Sequence, residues 1–145
     1  MSALPFTDRE LTRALRELSV VATPAVAGDR QNPHRLLLFY AVECGLKAVW
    51  LKRKGRTLFD SEDINRTGHD LRGVLKDLNV GSALSLPESF RLPNALRGQA
   101  QLPRNGKFGD LHQVWRYGGK CEAPTDHDCE QQLQKVLDWI QGELK

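Results

Sequence analysis

The side chains in this sequence best suited to chemistry are those that act on a phosphate ester. Arginine holds phosphate oxygens in a planar fork, and histidine exchanges a proton near neutral pH. The chain carries four histidines, His34, His69, His112 and His127, and Arg116 and Tyr117 stand just before the last predicted helix. An Arg–His pair acting on phosphate is therefore one candidate site that the residue types allow. Gly68-His69-Asp70 reads as a helix start, where unpaired backbone N–H groups favour an anion. The plainer role for His69 and Asp70 is to cap and charge that helix. Glu43 and Lys47 are four apart on one helix, in the favourable Glu-then-Lys order, and form either a binding pair or a structural ion pair. Lys52, Arg53 and Lys54, with Arg56, make a basic tip suited to binding an anion. Cys121, His127 and Cys129 lie close together, and His112 would be a fourth zinc ligand. Their spacing fits no common zinc module and there is no CxxC, so no metal or other cofactor is expected. A Cys–His nucleophile has the residue types but no recognisable arrangement. There is no P-loop, dinucleotide-binding glycine pattern, nucleophile elbow or HExxH.

These groups are positioned by helices. Thr7 and Glu10 form a capping box, and Leu11, Ala14, Leu15, Leu18 and Val21 follow at helical spacing until Thr23-Pro24. Asn32-Pro33 opens a second helix that runs to about Lys54 and stops at Gly55. It is apolar nearly all round, as a central helix is. A third helix fits His69 to Leu78, closed by Asn79 and Gly81. Residues 82–109 hold Pro87, Pro93, Pro103 and several glycines. They read as an irregular excursion with a short helical turn or two, long enough to suggest function or mobility. Asp110 to Tyr117 forms a short amphipathic helix, and a last helix starts near Thr125 or Asp126. No convincing strand is found. The pattern predicts a single all-α domain over residues 1–145, an up-and-down helical bundle of four to five helices with antiparallel neighbours.

Composition sets the class. The 145 residues are 40% hydrophobic and 27% charged, which fits a globular domain and not a disordered one. No apolar run approaches the ~20 residues of a membrane helix, and the N-terminal residues lack the pattern of a signal peptide. A cytoplasmic location with no membrane partner is expected. Three cysteines, Cys44, Cys121 and Cys129, make a poor disulfide framework. The net charge of +3 is unevenly spread. Residues 1–120 hold 19 Lys and Arg against 12 Asp and Glu, whereas residues 121–145 hold 2 against 6. A basic body of this kind suits an anionic ligand on one face, or is ordinary surface charge.

The stretch Phe39-Tyr40-Ala41-Val42-Glu43-Cys44-Gly45-Leu46-Lys47-Ala48, followed by Gly68-His69-Asp70-Leu71-Arg72 with Leu75 and Leu78, resembles the HEPN family of small helical nucleotide- and RNA-associated domains. Leu111 to Tyr117 is similar to the segment that leads to the family's last long helix. The resemblance covers most of residues 33–140. It implies a helical bundle that dimerises. It also implies either a metal-independent ribonuclease of toxin–antitoxin and antiviral defence systems, or an inactive relative that binds nucleotides or proteins. Active members have an Arg, four to six residues, then a His, with two such motifs meeting in a dimer cleft. This chain departs from that motif. Arg30 and His34 have three residues between them, Arg66 and His69 two, Arg104 and His112 seven, and Arg116 and His127 ten.

Three functions are therefore expected. The first is a HEPN-like domain that binds RNA, a nucleotide or a protein partner without the usual catalysis, as a homodimer. Its site residues are Glu43, Lys47, Asp70, Tyr117 and the basic tip. The second is a divergent metal-independent endoribonuclease using Arg116 with His69 or His112. The third is a structural subunit of a larger complex, with Trp50, Trp115, Trp139, Phe90 and Phe108 as anchors and Trp139 as the exposed aromatic.

Overall fold

The capping box opens the first helix as its spacing predicts. Thr7 Oγ1 accepts from the Glu10 N–H at 3.1 Å, and the Thr7 N–H donates to Glu10 Oε1 at 2.9 Å. The computed structural model describes residues 4–26, 28–68 and 70–145. Helix α1 covers Asp8–Ala22 and α2 covers Asn32–Lys54, where Gly55 takes the left-handed conformation (φ 63°) that ends a helix most easily. Helix α2 is buried over most of its circumference and packs against α1 and against three later helices, α4 (Leu71–Asp77), α5 (Leu111–Arg116) and α6 (Asp126–Glu143). Gly45 sets the closeness of that packing. A Cβ there would lie 2.7 Å from Ile140 Cγ2 and 3.1 Å from Leu15 Cδ1, so its absence lets α1 and α6 close on α2.

Two short pieces tie the ends of α1 and α2 together. Strand β1 (Phe6–Thr7) pairs antiparallel with β2 (Leu58–Phe59). Helix α3 (Ser61–Thr67), absent from the sequence reading, is capped by Asp60, whose carboxylate accepts from the N–H groups of Glu62 and Asp63. Arg56 grips the buried Asp63 through two bonds of 2.7 and 2.6 Å. That pairing holds the Asp63 carboxyl below the usual aspartate range, against the opposing effect of burial.

The main correction concerns residues 82–109. The chain is not an all-α bundle of four to five helices. Among the described residues it has six helices and two small antiparallel sheets, a mixed α/β architecture. The predicted irregular excursion is chiefly a β-hairpin of β3 (Ser89–Arg97) and β4 (Ala100–Lys107), with single 3₁₀ turns at Ser82–Leu84 and Phe108–Asp110. The prolines that argued against structure sit where a strand tolerates them. Leu92 pairs with Arg104 and Ala95 with Leu102, so Pro93 and Asn94 oppose Pro103 in a bulge that needs fewer N–H donors. Gly98, at φ 65°, takes the first position of the two-residue turn. Phe90 and Leu92 alternate inward and are buried, and the Phe90 ring lies over Gly106, where a Cβ would meet Cζ at 2.6 Å. The outer half of the hairpin is exposed, including Leu96 and Leu102.

Helix α6 runs parallel to α2 and is tied to it at both ends. At the start, Arg35 pairs with the buried Glu130 and lies 3.7 Å from Asp126. Asp126 Oδ1 also accepts from Trp115 Nε1 at 2.9 Å and from the Cys121 N–H at 3.0 Å. At the finish, Lys52 Nζ donates to the Glu143 carbonyl at 2.6 Å, and Arg53 donates to the Leu78 carbonyl and, at 3.3 Å, to the Glu143 carboxylate. The antiparallel neighbours expected from the sequence are found for α1 and α2 but not for α2 and α6. No helix among the described residues is long and apolar enough to cross a membrane.

Candidate functional site

Helix α5 carries the candidate site. His112 and Arg116 are one turn apart on it, so both reach the same side. Leu111, Val114 and Trp115 are buried, which anchors the short helix against the core. The side it offers meets Tyr40 of α2. Arg116 donates from its guanidinium to the Tyr40 hydroxyl. The His112 ring is buried between that tyrosine and Phe39, with ring centroids 6.2 and 5.3 Å away. His112 Nδ1 lies 3.0 Å from the Gly109 carbonyl. A carbonyl only accepts, so Nδ1 carries the hydrogen and, in the neutral ring, Nε2 is the basic nitrogen. The Tyr40 hydroxyl, and after it that of Tyr117, raises the pKa of Arg116 and holds its charge and orientation. Arg116 itself is exposed, and Tyr117 beside it is 77% exposed.

The other predicted residues fall into three groups. Glu43 and Lys47 lie one and two turns beyond Tyr40 on the same stripe of α2 and pair at 3.3 Å, with Lys47 Nζ 5.3 Å from the centre of the Phe59 ring. Asp70 is exposed and caps α4 through the Gly73 N–H at 3.0 Å. It also lines a cleft of about 600 Å³ with Arg72, Glu88, Lys107 and Asp110. His69 lies outside the described residues. Lys52, Arg53 and Lys54 occupy the place where the C-terminal ends of α2, α4 and α6 meet. Lys52 and Arg53 satisfy carbonyls there, and Lys54 lies 4.4 Å above the Trp50 ring. The partial negative charge of three helix ends accounts for a basic tip at that position. Trp139 is half-buried with the Arg53 guanidinium 5.6 Å from its ring, so the most exposed aromatic among the described residues is Tyr117 and not Trp139.

The cysteines are placed for packing. Cys121 and Cys129 are buried free thiols, and Cys44 is a half-buried one. The neighbouring Cys129, and then burial, push the Cys121 thiol far above its ordinary value. Burial, and then Glu43, push Cys44 up. A thiol held protonated in this way is a poor nucleophile. Among the described residues no group of three or more His, Cys, Asp or Glu side chains converges as a metal site.

Sequence reasoning missed Tyr40 and the groove beside α5. Tyr40 reads as one more apolar residue of α2, and only its hydroxyl signals a partner. The groove is invisible without the hairpin, which forms its far wall. Phe90, Leu92, Arg104, Asn105 and Gly106 face Asp110, Gln113, Val114, Tyr117 and Gly119 across a volume of about 350 Å³. No family model, curated protein or solved structure matches the chain in sequence or fold.

Proposed function

We propose that this chain is an RNA-binding domain whose phosphate contact is Arg116. The observation that carries the reading is the anchoring of Arg116. The Tyr40 hydroxyl fixes one edge of an exposed guanidinium, so that its fork is presented to a backbone phosphate at little entropic cost. The HEPN-like pattern at residues 39–48 and 68–72 supports the same reading. The basic balance of residues 1–120 favours a polyanion.

Anisotropy titration of a labelled single-stranded RNA tests it. Affinity falls as salt rises, with a log–log slope of about −0.7 for each phosphate neutralised. Arg116→Ala weakens binding about tenfold and flattens that slope by about one contact. Binding that is indifferent to both salt and Arg116→Ala refutes the proposal.

A second reading rests on His112. Its Nδ1–H bond to Gly109 selects the tautomer with a basic Nε2, one helical turn from Arg116. That pair suits attack of an RNA 2′-hydroxyl on the adjacent phosphate: His112 accepts the hydroxyl proton, the 2′-oxygen bonds to phosphorus, and the P–O5′ bond breaks to leave a 2′,3′-cyclic phosphate and a 5′-hydroxyl that takes its proton from water. RNA cleavage in EDTA that is lost in His112→Ala and in Arg116→Ala supports it, and intact RNA at high protein concentration rules it out.

A further inference from the structure

The groove between the hairpin and α5 begins one residue beyond Arg116, and its chemistry differs from that of a phosphate site. Its floor is apolar, formed by Leu92 and Val114. Its rim carries amides and one carboxylate, from Asn105, Gln113 and Asp110, which between them both donate and accept hydrogen bonds. One lip is the Tyr117 ring, whose 77% exposure leaves a large aromatic surface in water with little protein packed on it. The opposite lip is Arg104, whose Nε donates to the Pro93 carbonyl at 3.0 Å, so the bulge orients its guanidinium plane. An apolar floor, a ring to stack on, and mixed donors and acceptors at the edge match a flat heterocycle with polar edges. Asp110 offsets the Arg104 cation, which disfavours a phosphate there, and a carboxylate accepts readily from an exocyclic amine.

From this geometry we infer that the groove is a nucleobase slot: one base of a single-stranded RNA stacks on Tyr117 while Arg116 holds the neighbouring phosphate. The inference rests on the RNA-binding reading above and adds what the strand places beside its phosphate. It also explains the position of the hairpin. Beta-strands β3 and β4 leave the core at Phe90 and Gly106, and their inner face closes the groove that α5 alone would leave open.

The test compares two probes of equal length and charge, a hexaadenylate and an abasic ribose-phosphate hexamer, on the wild-type chain and on Tyr117→Ala and Tyr117→Phe. Wild type is expected to bind hexaadenylate at least tenfold more tightly than the abasic hexamer. Tyr117→Ala is expected to lose most of that preference, read as the ratio of the two affinities so that any loss through Arg116, which falls on both probes alike, cancels. Tyr117→Phe, which keeps the ring and removes the hydroxyl that touches Arg116, is expected to retain it. Equal affinity of wild type for the two probes overturns the base slot and leaves the phosphate contact standing. Tyr117→Phe behaving like Tyr117→Ala also overturns the slot, because the hydroxyl would then be acting through Arg116. Binding of neither probe at low salt overturns both readings.

Discussion

Arg35 carries more structural responsibility than any residue the sequence pattern singles out. Its guanidinium serves Glu130, Asp126 and the Arg30 carbonyl at once, and both carboxylates are buried. Removing one partner of such a group leaves charge in a poorly solvated place without compensation. Arg35→Ala is expected to cost about 3–5 kcal/mol, read as a shift of the urea unfolding midpoint. Arg35→Lys recovers part of that loss, because an ammonium cannot reproduce the fork. Nothing in the sequence marks Arg35 out from the other arginines, since its two carboxylate partners lie 91 and 95 positions away, at Asp126 and Glu130. The same limit hid Tyr40. His112 and Arg116 can be placed together from the sequence because they lie one turn apart on a short helix, but Tyr40 of α2, which both meet, carries no such local signal. The basic tip shows the opposite failure. Lys52 and Arg53 look like free cations in sequence, yet in the fold they satisfy the carbonyls of other helices.

Element by element, legibility followed the strength of local signals. The starts of α1 and α6 and the end of α2 agree with the sequence because Thr7, Thr125 and Gly55 act within their own turn. The third predicted helix begins at Leu71 with Asp70 as its cap, close to the expected place. Helix α3 was missed because only Ile64 breaks its run of polar residues, and its stability comes from capping and from Arg56. The hairpin was missed because prolines were read as breakers, whereas a bulge accommodates Pro93 and Pro103 in paired strands. Packing between elements makes a sharper demand. Gly45 stands where α1, α2 and α6 come closest, so Gly45→Val gains nothing from helix propensity that offsets its clash with Ile140 and Leu15. The expected loss is about 1–3 kcal/mol, measured by thermal unfolding, with Gly45→Ala falling between the variant and wild type.

At the scale of the whole molecule, stability is graded from α2 outward. Its residues Leu38, Phe39, Ala41, Val42, Leu46 and Leu51 are essentially without solvent contact, while the far half of the hairpin is exposed on both strands. Native-state hydrogen exchange is expected to be slowest in the middle of α2 and faster by orders of magnitude at residues 95–102. Equal protection of the two would show that the hairpin tip is covered in solution. The parallel pairing of α2 with α6 also has a consequence for how the chain reaches this state. The bonds that join the two helices span 90 to 95 positions, and residues 55–125 must be made before α6 exists. During synthesis α2 therefore emerges early with an apolar surface on nearly every side and waits for its last cover. Long-range closure of this kind slows folding, and the nascent chain is then most prone to self-association. Chaperone dependence in this protein should accordingly track the interval between α2 and α6, and a circular permutant that brings α6 next to α2 in the chain should fold faster and aggregate less.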